Sequence, residues 1–251
     1  MTRPDLPPPP DLGRENWALF LDIDGTLLEH AAHPDAVFVE AGLRDLLAAL
    51  QNKLGGALAF VTGRSVAAVD RLFAPLELPA AGLYGLEHRL EPGGPVETAD
   101  EPADIAALAD EVEAEFAGRS VHVERKGPIL AIHTRAAPHL LPRSIELVEQ
   151  ALARLPAGYR VLPGNAGVEL MPLGAVKGAA IRRFMEVSPF SGRRPVFLGD
   201  DTSDESGFEM INDAGGISIR VRPTAETEAT YAIANVAGVL EWLGRQGAMP
   251  A

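Results

Sequence analysis

The sequence contains no cysteine, and it is short of basic residues. Without a thiol, the chain can form no disulfide, use no cysteine nucleophile and hold no zinc ion through sulfur. Its 22 lysines and arginines face 35 aspartates and glutamates, which gives a formal net charge of −13 at pH 7. Because a nucleic-acid backbone needs a basic face, this balance argues against a nucleic-acid binder. A small anionic substrate could still bind where positive groups cluster locally.

Long apolar runs are also missing. No stretch approaches the roughly 18 apolar residues that a membrane-spanning helix needs, so we expect no membrane partner. The first 16 residues, MTRPDLPPPPDLGREN, are polar and rich in proline. They lack the apolar segment of a secretory signal, and we interpret them as a flexible or polyproline arm. Together these features favour a cytoplasmic protein.

Short apolar runs that end in polar residues are typical of buried parallel strands. Leucines at helical spacing over 39–53 predict a helix between the first two runs, and SVAAVDRLF predicts another after the second. This alternation predicts an α/β fold with a doubly wound, mostly parallel sheet. The runs are WALFL (17–21), GALAFV (56–61), RPVFLG (194–199) and GGISIRV (215–221).

The middle of the chain has a different order, helix–strand–strand, which occurs twice. Helices are predicted at 101–117 and 142–155, each followed by two strands around a turn rich in glycine. Adjacent hairpin strands favour an antiparallel sheet covered by two helices, so we expect a small α+β domain inserted in the core. The expected division is an arm at 1–16, a core at 17–95 and 173–251, and an inserted domain at 96–172.

Acidic side chains follow the predicted strands at two places, and Thr62 follows a third. Asp22 and Asp24 lie two residues apart, so an extended backbone turns both to one side. Asp200, Asp201 and Asp204 follow the strand RPVFLG. Ligands of open α/β sheets bind beyond the carboxyl ends of the strands, so we expect these groups to meet there. A single such acid is more often a helix cap or a solvated loop residue, but three strand ends together favour a shared site.

So many converging carboxylates would repel one another unless a cation lay among them. Oxygen ligands with positions left for water and phosphate suit Mg²⁺. An aspartate in such a site can attack phosphorus, and a second carboxylate can serve as general acid and base. Thr62 offers a hydroxyl to the phosphoryl oxygens. Lys177 is predicted at the start of a helix, where the ammonium and the helix dipole both favour phosphate.

These residues resemble the haloacid-dehalogenase-like (HAD) phosphatases. The resemblance implies a HAD-like Rossmannoid core, with the inserted α+β domain as a cap between the second and third signatures. The four signatures of that superfamily occur here in order as Asp22-Ile23-Asp24-Gly25-Thr26, Thr62-Gly63-Arg64, Lys177 and Gly199-Asp200-Asp201-Thr202-Ser203-Asp204.

The same resemblance assigns roles to the signature residues. It implies Asp22 as nucleophile, Asp24 as general acid/base, and Thr62 with Lys177 as holders of the phosphoryl group. Mg²⁺ would be bound by Asp22, the Asp24 carbonyl and Asp200, with Asp204 close by. Asp201 is expected to orient Lys177 or a ligand, although Asp201 and Asp204 could each instead cap the next helix. Gly63 and Arg64 are expected to bind substrate, although Arg64 could instead cap the following helix.

Within the superfamily, the chain is most similar to the trehalose-6-phosphate phosphatases. That family uses a Glu-x-Lys pair and a later glutamate of the cap to bind glucose hydroxyls, which implies Glu124, Lys126 and Glu169 as sugar ligands. Strand spacing separately places Glu124 and Lys126 on one face, although a surface ion pair is an equal alternative. The resemblance is carried by GLYGLEHR (82–89), VERKGPILAIHTR (123–135), PGNAGVELMPLGAVKGAAI (163–181) and GDDTSDESGFEMIN (199–212).

Three histidines, His88, His122 and His133, lack metal-ligand spacing with one another and are interpreted as structural. Glu87 and His88 could line the cleft. Tyr84 occupies a position where the family commonly has histidine. This departure bears on the identity of the sugar more than on the phosphatase chemistry.

The resemblance implies a Mg²⁺-dependent hydrolase that acts on trehalose 6-phosphate through an aspartyl-phosphate intermediate. We expect a phosphorylated disaccharide as substrate, no nucleic-acid or membrane partner, and a monomer. Sucrose-phosphate and mannosyl-phosphoglycerate phosphatases are the enzymatic alternatives. A phospho-receiver module is the signalling alternative, but a receiver needs a long-lived aspartyl-phosphate and has no use for an acid/base such as Asp24. An idle sugar-binding protein would not need every catalytic side chain.

Overall fold

The computed structural model describes residues 6–13, 16–30, 38–98, 102–155, 157–164, 166–223 and 226–248. Contacts divide the chain into two compact units. The first runs to Glu97 and resumes at Val176, and the second is Thr98–Ala175. From the sequence, the inserted domain is expected at 96–172. None of the helices in the described ranges has the length and apolar character needed to cross a bilayer.

The first unit is built on a twisted sheet of eight strands in the order β12-β11-β10-β1-β2-β3-β4-β5. Pairings from β12 through to β3 are parallel, and β4 runs antiparallel to β3. The prediction of a doubly wound, mostly parallel sheet is therefore confirmed. The strands are β1 (Trp17–Leu21), β2 (Leu58–Val61), β3 (Ala80–Gly82), β4 (Glu87–Arg89), β5 (Glu97–Thr98), β10 (Arg194–Gly199), β11 (Ile217–Val221) and β12 (Tyr231–Ile233).

Alternate residues of the central strands pack on opposite faces of this sheet. One face buries Leu19 and Phe60 under helices α1 (Ala41–Lys53), α2 (Val66–Phe73) and α7 (Val236–Ala248). The other buries Phe20 and Phe197 under α5 (Lys177–Met185) and α6 (Glu205–Asp213). Because both faces are covered, all five residues of β1 are buried. That is why the sequence shows continuous apolar runs instead of alternation.

The N-terminal segment differs from the expectation of a flexible arm, at least over residues 6–13. Leu12 is buried, and its amide donates to Oε1 of Gln246 at 2.9 Å. The indole of Trp242 donates to the carbonyl of Pro10 at 3.1 Å, and Ala232 donates to Pro7. Prolines cannot donate, but their carbonyls accept hydrogen bonds, and this lets the segment pair with α7 and β12. Residues 1–5 and 14–15 of the predicted arm lie outside the described residues.

The second unit has the predicted order of helix, two strands, helix, two strands. Its antiparallel sheet runs β6-β7-β9-β8, with hairpins joining β6 to β7 and β8 to β9. Apolar residues of the sheet, such as Leu130 and Ile132, pack with Val112 and Val148 of the two helices. The elements are α3 (Ala103–Glu115), β6 (His122–Lys126), β7 (Ile129–His133), α4 (Leu141–Leu152), β8 (Tyr159–Gly164) and β9 (Gly167–Pro172).

Candidate active site

Asp22 lies immediately after β1, at the carboxyl end of the central strand of the first unit. Its amide donates to the carbonyl of Leu198 in β10 at 3.0 Å, which holds the turn against the neighbouring strand. The Thr26 hydroxyl donates to Oδ2 of Asp22 at 3.2 Å. Only 4% of Asp22 is exposed. The backbone of Asp22 is thus tied to β10, and its buried carboxylate is held by Thr26.

Gly25, in the turn after Asp24, allows a close approach to the strand next door. Its φ is +84°, and a Cβ built there would lie 2.0 Å from Oδ2 of Asp200. A side chain at this position would meet both backbone strain and a collision with a carboxylate. The glycine of the D-x-D-G-T motif therefore permits Asp200 to lie against the turn that carries Asp22.

Lys177 is the first residue of α5 and joins two of the acids. Its Nζ donates to Oδ1 of Asp22 at 2.7 Å and to Oδ1 of Asp204 at 2.6 Å. The lysine is 2% exposed and Asp204 is fully buried. An ammonium in such a place is stabilised only because two carboxylates share it.

The charges of this buried trio shift its pKa values. Burial alone would lower the pKa of Lys177, but Asp204 and Asp22 outweigh that effect and raise it above its usual value, so the lysine stays protonated. Burial raises the pKa of Asp22 well above its usual range, and the attraction of Lys177 offsets this only in part. Asp204 and Asp200 add repulsion in the same direction. One ammonium is not enough positive charge for these acids, which is the electrostatic condition that a bound cation relieves.

Asp200 completes a group of carboxylates with the spacing of a metal site. One oxygen from each of Asp22, Asp200 and Asp204 lies within 4.8 Å of the others. Oδ1 of Asp200 is buried and has no hydrogen-bond partner among the described residues. Carboxylate oxygens are the preferred ligands of hard divalent cations. The unsatisfied oxygen and the all-oxygen donor set therefore fit a divalent cation.

Asp204 has a different role from a simple metal ligand. Its Oδ2 accepts the backbone amides of Asp200 and Asp201, both at 2.9 Å, while Oδ1 accepts Lys177. The side chain thereby shapes the loop that presents Asp200. Of the two roles expected for Asp201, the structure shows the cap: its Oδ1 accepts the amide of Thr202 at the start of the short 3₁₀ turn Thr202–Asp204. The residue that orients Lys177 is Asp204.

Asp24 and Arg64 form a two-point ion pair. Nε and one terminal nitrogen of Arg64 each lie 2.6 Å from a different oxygen of Asp24. Thr62 is buried at the end of β2, and its hydroxyl accepts the Arg64 amide at 3.2 Å. A Cβ at Gly63 would lie 2.5 Å from the hydroxyl of Tyr84. Arg64 was expected to bind substrate or cap a helix. Here it contacts the candidate acid/base, while Ser65 caps α2 by accepting the amide of Ala68.

Two basic residues that the sequence analysis did not single out also contact Asp200. His30 Nε2 lies 3.1 Å from Oδ2 of Asp200, and Arg222 donates to the same oxygen at 3.4 Å and to the carbonyl of Gly25 at 2.8 Å. Both engage the oxygen that lies against Gly25 and leave Oδ1 free. No motif or spacing in the sequence links these distant positions.

Glu87 and His88, which could line the cleft, make contacts within the first unit. Glu87 Oε2 accepts the amide of Val66 at 2.6 Å, at the first residue of α2. His88 is 5% exposed, and its ring lies 6.0 Å from that of Phe184. Burial and the charge of Arg183 lower the pKa of His88 to about 4, so it is neutral at physiological pH.

The second unit carries its own polar cluster on β6, β7 and β9. Lys126 lies 3.3 Å from Oε2 of Glu124 and 3.0 Å from Oε1 of Glu169, so the structure brings the three predicted sugar ligands together. His133 joins them, with Nε2 2.9 Å from Oε2 of Glu124. From its spacing in the sequence, His133 is expected to be structural. The hairpin register, in which His122 pairs with His133 and Glu124 with Ala131, is the signal that would have placed His133 beside Glu124.

Comparisons with known proteins agree with this geometry. Residues 20–237 match the family described as trehalose-phosphatase. The chain is 46% identical to the probable trehalose-phosphate phosphatase of Sinorhizobium fredii strain NGR234, over 83% of this chain and 79% of the relative. It is 38% identical to the trehalose-6-phosphate phosphatase of Escherichia coli K12, over 97% and 90%.

Solved structures show the same fold. The C-terminal domain of the trehalose-6-phosphate phosphatase of C. albicans aligns with a TM-score of 0.81 at 20% identity, over 98% of this chain and 99% of that one. A phosphatase of the HAD superfamily from Bacteroides thetaiotaomicron aligns with a TM-score of 0.62 at 18% identity, over 96% and 98%.

Proposed function

Because the chain belongs to the trehalose-phosphatase family, a family of phosphoric monoester hydrolases, we propose that it hydrolyses trehalose 6-phosphate to trehalose and phosphate. The observation that carries this proposal is the buried contact of Lys177 with Asp22 and Asp204, beside the unsatisfied oxygen of Asp200. A nucleophilic carboxylate, a fixed positive charge and a place for a divalent cation then meet at one strand end.

In the first proposed step, an oxygen of Asp22 attacks phosphorus and the bond from phosphorus to the sugar oxygen breaks. Asp24 gives its proton to that leaving oxygen, and trehalose departs. In the second step, Asp24 takes a proton from water, the water oxygen attacks phosphorus, and the Asp22 carboxylate is released with phosphate. Since Arg64 holds both oxygens of Asp24 in the structure, this ion pair must loosen when substrate arrives.

The phosphoryl oxygens need partners throughout both steps. Lys177 carries a charge that its surroundings keep protonated. It also opens a nine-residue helix, whose N-terminal amides favour an anion. The Thr62 hydroxyl and the amide of Gly63 supply neutral donors at the end of the neighbouring strand. These three residues are the proposed holders of the transferred group.

The fold family implies a divalent cation, and we propose Mg²⁺. The residues that would hold it are Asp22, the backbone carbonyl of Asp24 and Asp200. Asp204 lies in the same carboxylate group, and its Oδ2 also shapes the loop that presents Asp200. When bound, the ion supplies positive charge that offsets the repulsion between an anionic nucleophile and an anionic phosphate.

The second unit is the proposed cap that recognises the sugar. Glu124, Lys126 and Glu169 together offer charged donors and acceptors of the kind that bind hydroxyl groups. Oε2 of Glu169 is buried without a partner among the described residues, and a sugar hydroxyl would satisfy it. We propose that the enzyme works as a cytoplasmic monomer.

Phosphate release from a panel of sugar phosphates, with and without Mg²⁺, tests the proposal. The panel contains trehalose 6-phosphate, glucose 6-phosphate, sucrose 6-phosphate and mannosyl-phosphoglycerate. We expect Mg²⁺-dependent release that is fastest from trehalose 6-phosphate. Equal rates on trehalose 6-phosphate and glucose 6-phosphate would reject the disaccharide assignment. Faster release from another member would assign that substrate, and a stable phosphoprotein without turnover would indicate a receiver module.

A further inference from the structure

The polar cluster of the second unit occupies one face of its antiparallel sheet. Leu130 and Ile132 of β7 belong to the apolar core formed with α3 and α4. Side chains alternate along a strand, so Ala131 and His133 turn to the opposite face. Glu124 of β6 and Glu169 of β9 both pair with Ala131. His133 is therefore a neighbour of the proposed sugar ligands on the face turned away from α3 and α4.

A continuous chain of polar contacts crosses this face. His133 Nε2 lies 2.9 Å from Oε2 of Glu124, Lys126 lies 3.3 Å from that same oxygen, and Lys126 reaches Oε1 of Glu169 at 3.0 Å. These contacts engage one oxygen of each glutamate, Oε2 of Glu124 and Oε1 of Glu169. The contacts of Glu124 with His133 and Lys126 both use Oε2 and leave its Oε1 out, and Oε2 of Glu169 is buried without a partner among the described residues. Two acceptors are thus held ready for a ligand.

We propose that His133 is a positioning residue for sugar recognition, which fixes Glu124 so that its Oε1 is presented to a hydroxyl of the substrate. The inference rests on the proposed function of this unit as the cap. His133 itself need not touch the sugar. Its contact sets the rotamer of Glu124, which in turn keeps Lys126 between two carboxylates.

The physical reason is preorganisation. A glutamate side chain has three rotatable bonds, and ordering it only when the ligand binds costs free energy that reduces affinity. A hydrogen bond from His133 fixes the side chain before the sugar arrives. Burial raises the pKa of Glu124, but the hydrogen bond from His133 and the charge of Lys126 outweigh this effect and hold its pKa at about 2. Glu124 thus stays an anionic acceptor across the physiological range.

Kinetics on two substrates test the proposal with the full chain. One substrate is trehalose 6-phosphate, and the other is para-nitrophenyl phosphate, which has the phosphate but no sugar. For His133→Ala we expect kcat/KM on the sugar phosphate to fall by about tenfold, mainly through KM, as for a lost hydrogen bond to a charged group. Activity on the aryl phosphate should stay within about twofold of the wild type, since its binding does not use the cap carboxylates.

A conservative variant and a control complete the design. His133→Gln can place an amide nitrogen near the position of Nε2 and should recover most of the lost activity. His139→Ala removes an exposed histidine of the same unit and should match the wild type on both substrates. Equal losses of His133→Ala on both substrates would show a general structural role and overturn the proposal. No loss on the sugar phosphate would overturn it as well.

The wild-type measurements keep this test apart from the test of the function. If the wild type prefers another sugar phosphate, the assignment of trehalose 6-phosphate fails. The effect of His133 is then measured on that preferred sugar phosphate. A loss confined to the sugar substrate supports the positioning role, and its absence rejects it.

Discussion

Replacing Lys177 with methionine removes an ammonium that contacts both Asp22 and Asp204 and leaves the side-chain volume nearly unchanged. The lysine lies 2.7 Å and 2.6 Å from their oxygens, and all three side chains are almost wholly buried. Removing one partner of a buried ion pair typically costs about 3–5 kcal/mol, because the remaining charge keeps its desolvation penalty. For a chain of this size, that cost corresponds to a fall in melting temperature of about 6–20 °C.

The stability lost in Lys177→Met should depend on pH, in a direction set by the buried carboxylates of the site. Burial already raises the pKa of Asp22 and of Asp204, and without Lys177 both values rise further. A carboxyl whose pKa is raised in the folded state favours folding at low pH and loses that contribution as pH rises through the folded-state value. The difference in melting temperature between Lys177→Met and the wild type should therefore increase from pH 5 to pH 8.

Differential scanning calorimetry in EDTA measures this difference in melting temperature, and phosphate release measures activity. Lys53→Met is the control, since Lys53 donates to the backbone carbonyl of Gln246 away from the site, and we expect it to melt within a few degrees of the wild type. Activity of Lys177→Met should be lost. A variant that melts like the control at pH 8 and still turns over would refute the reasoning about the buried trio.

Three further predictions concern the same unit. Asp24→Asn should fold normally by circular dichroism and release no phosphate, because an amide can neither give nor take the proton; wild-type turnover would contradict the assigned role. Mg²⁺ at about 100 times its Kd should stabilise the wild type by about 2.7 kcal/mol in thermal melts. Asp200→Asn should reduce this shift strongly, and an equal shift would place the ion elsewhere. His88 has a pKa of about 4 against an ordinary 6.5. The stability that the neutral ring contributes is therefore present above pH 6.5 and is lost as pH falls toward 4. Urea titrations should show that the free energy of unfolding of the wild type falls by about 2–3 kcal/mol over this range, and that this fall is absent in His88→Gln. Equal pH profiles of the two proteins would contradict this assignment.

The sequence predicted those elements and groups that depend on a local pattern of residues. The apolar runs predicted the central strands, the leucine spacing predicted α1, and two strand pairs with their helices predicted the second unit. Short strands such as β3 (Ala80–Gly82) and β12 (Tyr231–Ile233) were missed, because three residues carry too little periodicity to be recognised. The meeting of Asp22 and Asp200 was anticipated because strand ends of a parallel sheet meet at one edge, and Lys177 was anticipated from its predicted place at the start of a helix.

By itself, the sequence determined the fold class, the family resemblance and the set of acids that meet at the strand ends. These depend on residue type and spacing along the chain. Only the tertiary structure decided which partner each acid has. Asp204 holds Lys177 while Asp201 caps a turn, Arg64 holds Asp24, and His133 joins Glu124. Such pairings depend on distances between side chains on different elements. Hydrogen bonds and ion pairs act over about 3 Å, and no pattern along one strand or helix fixes that separation.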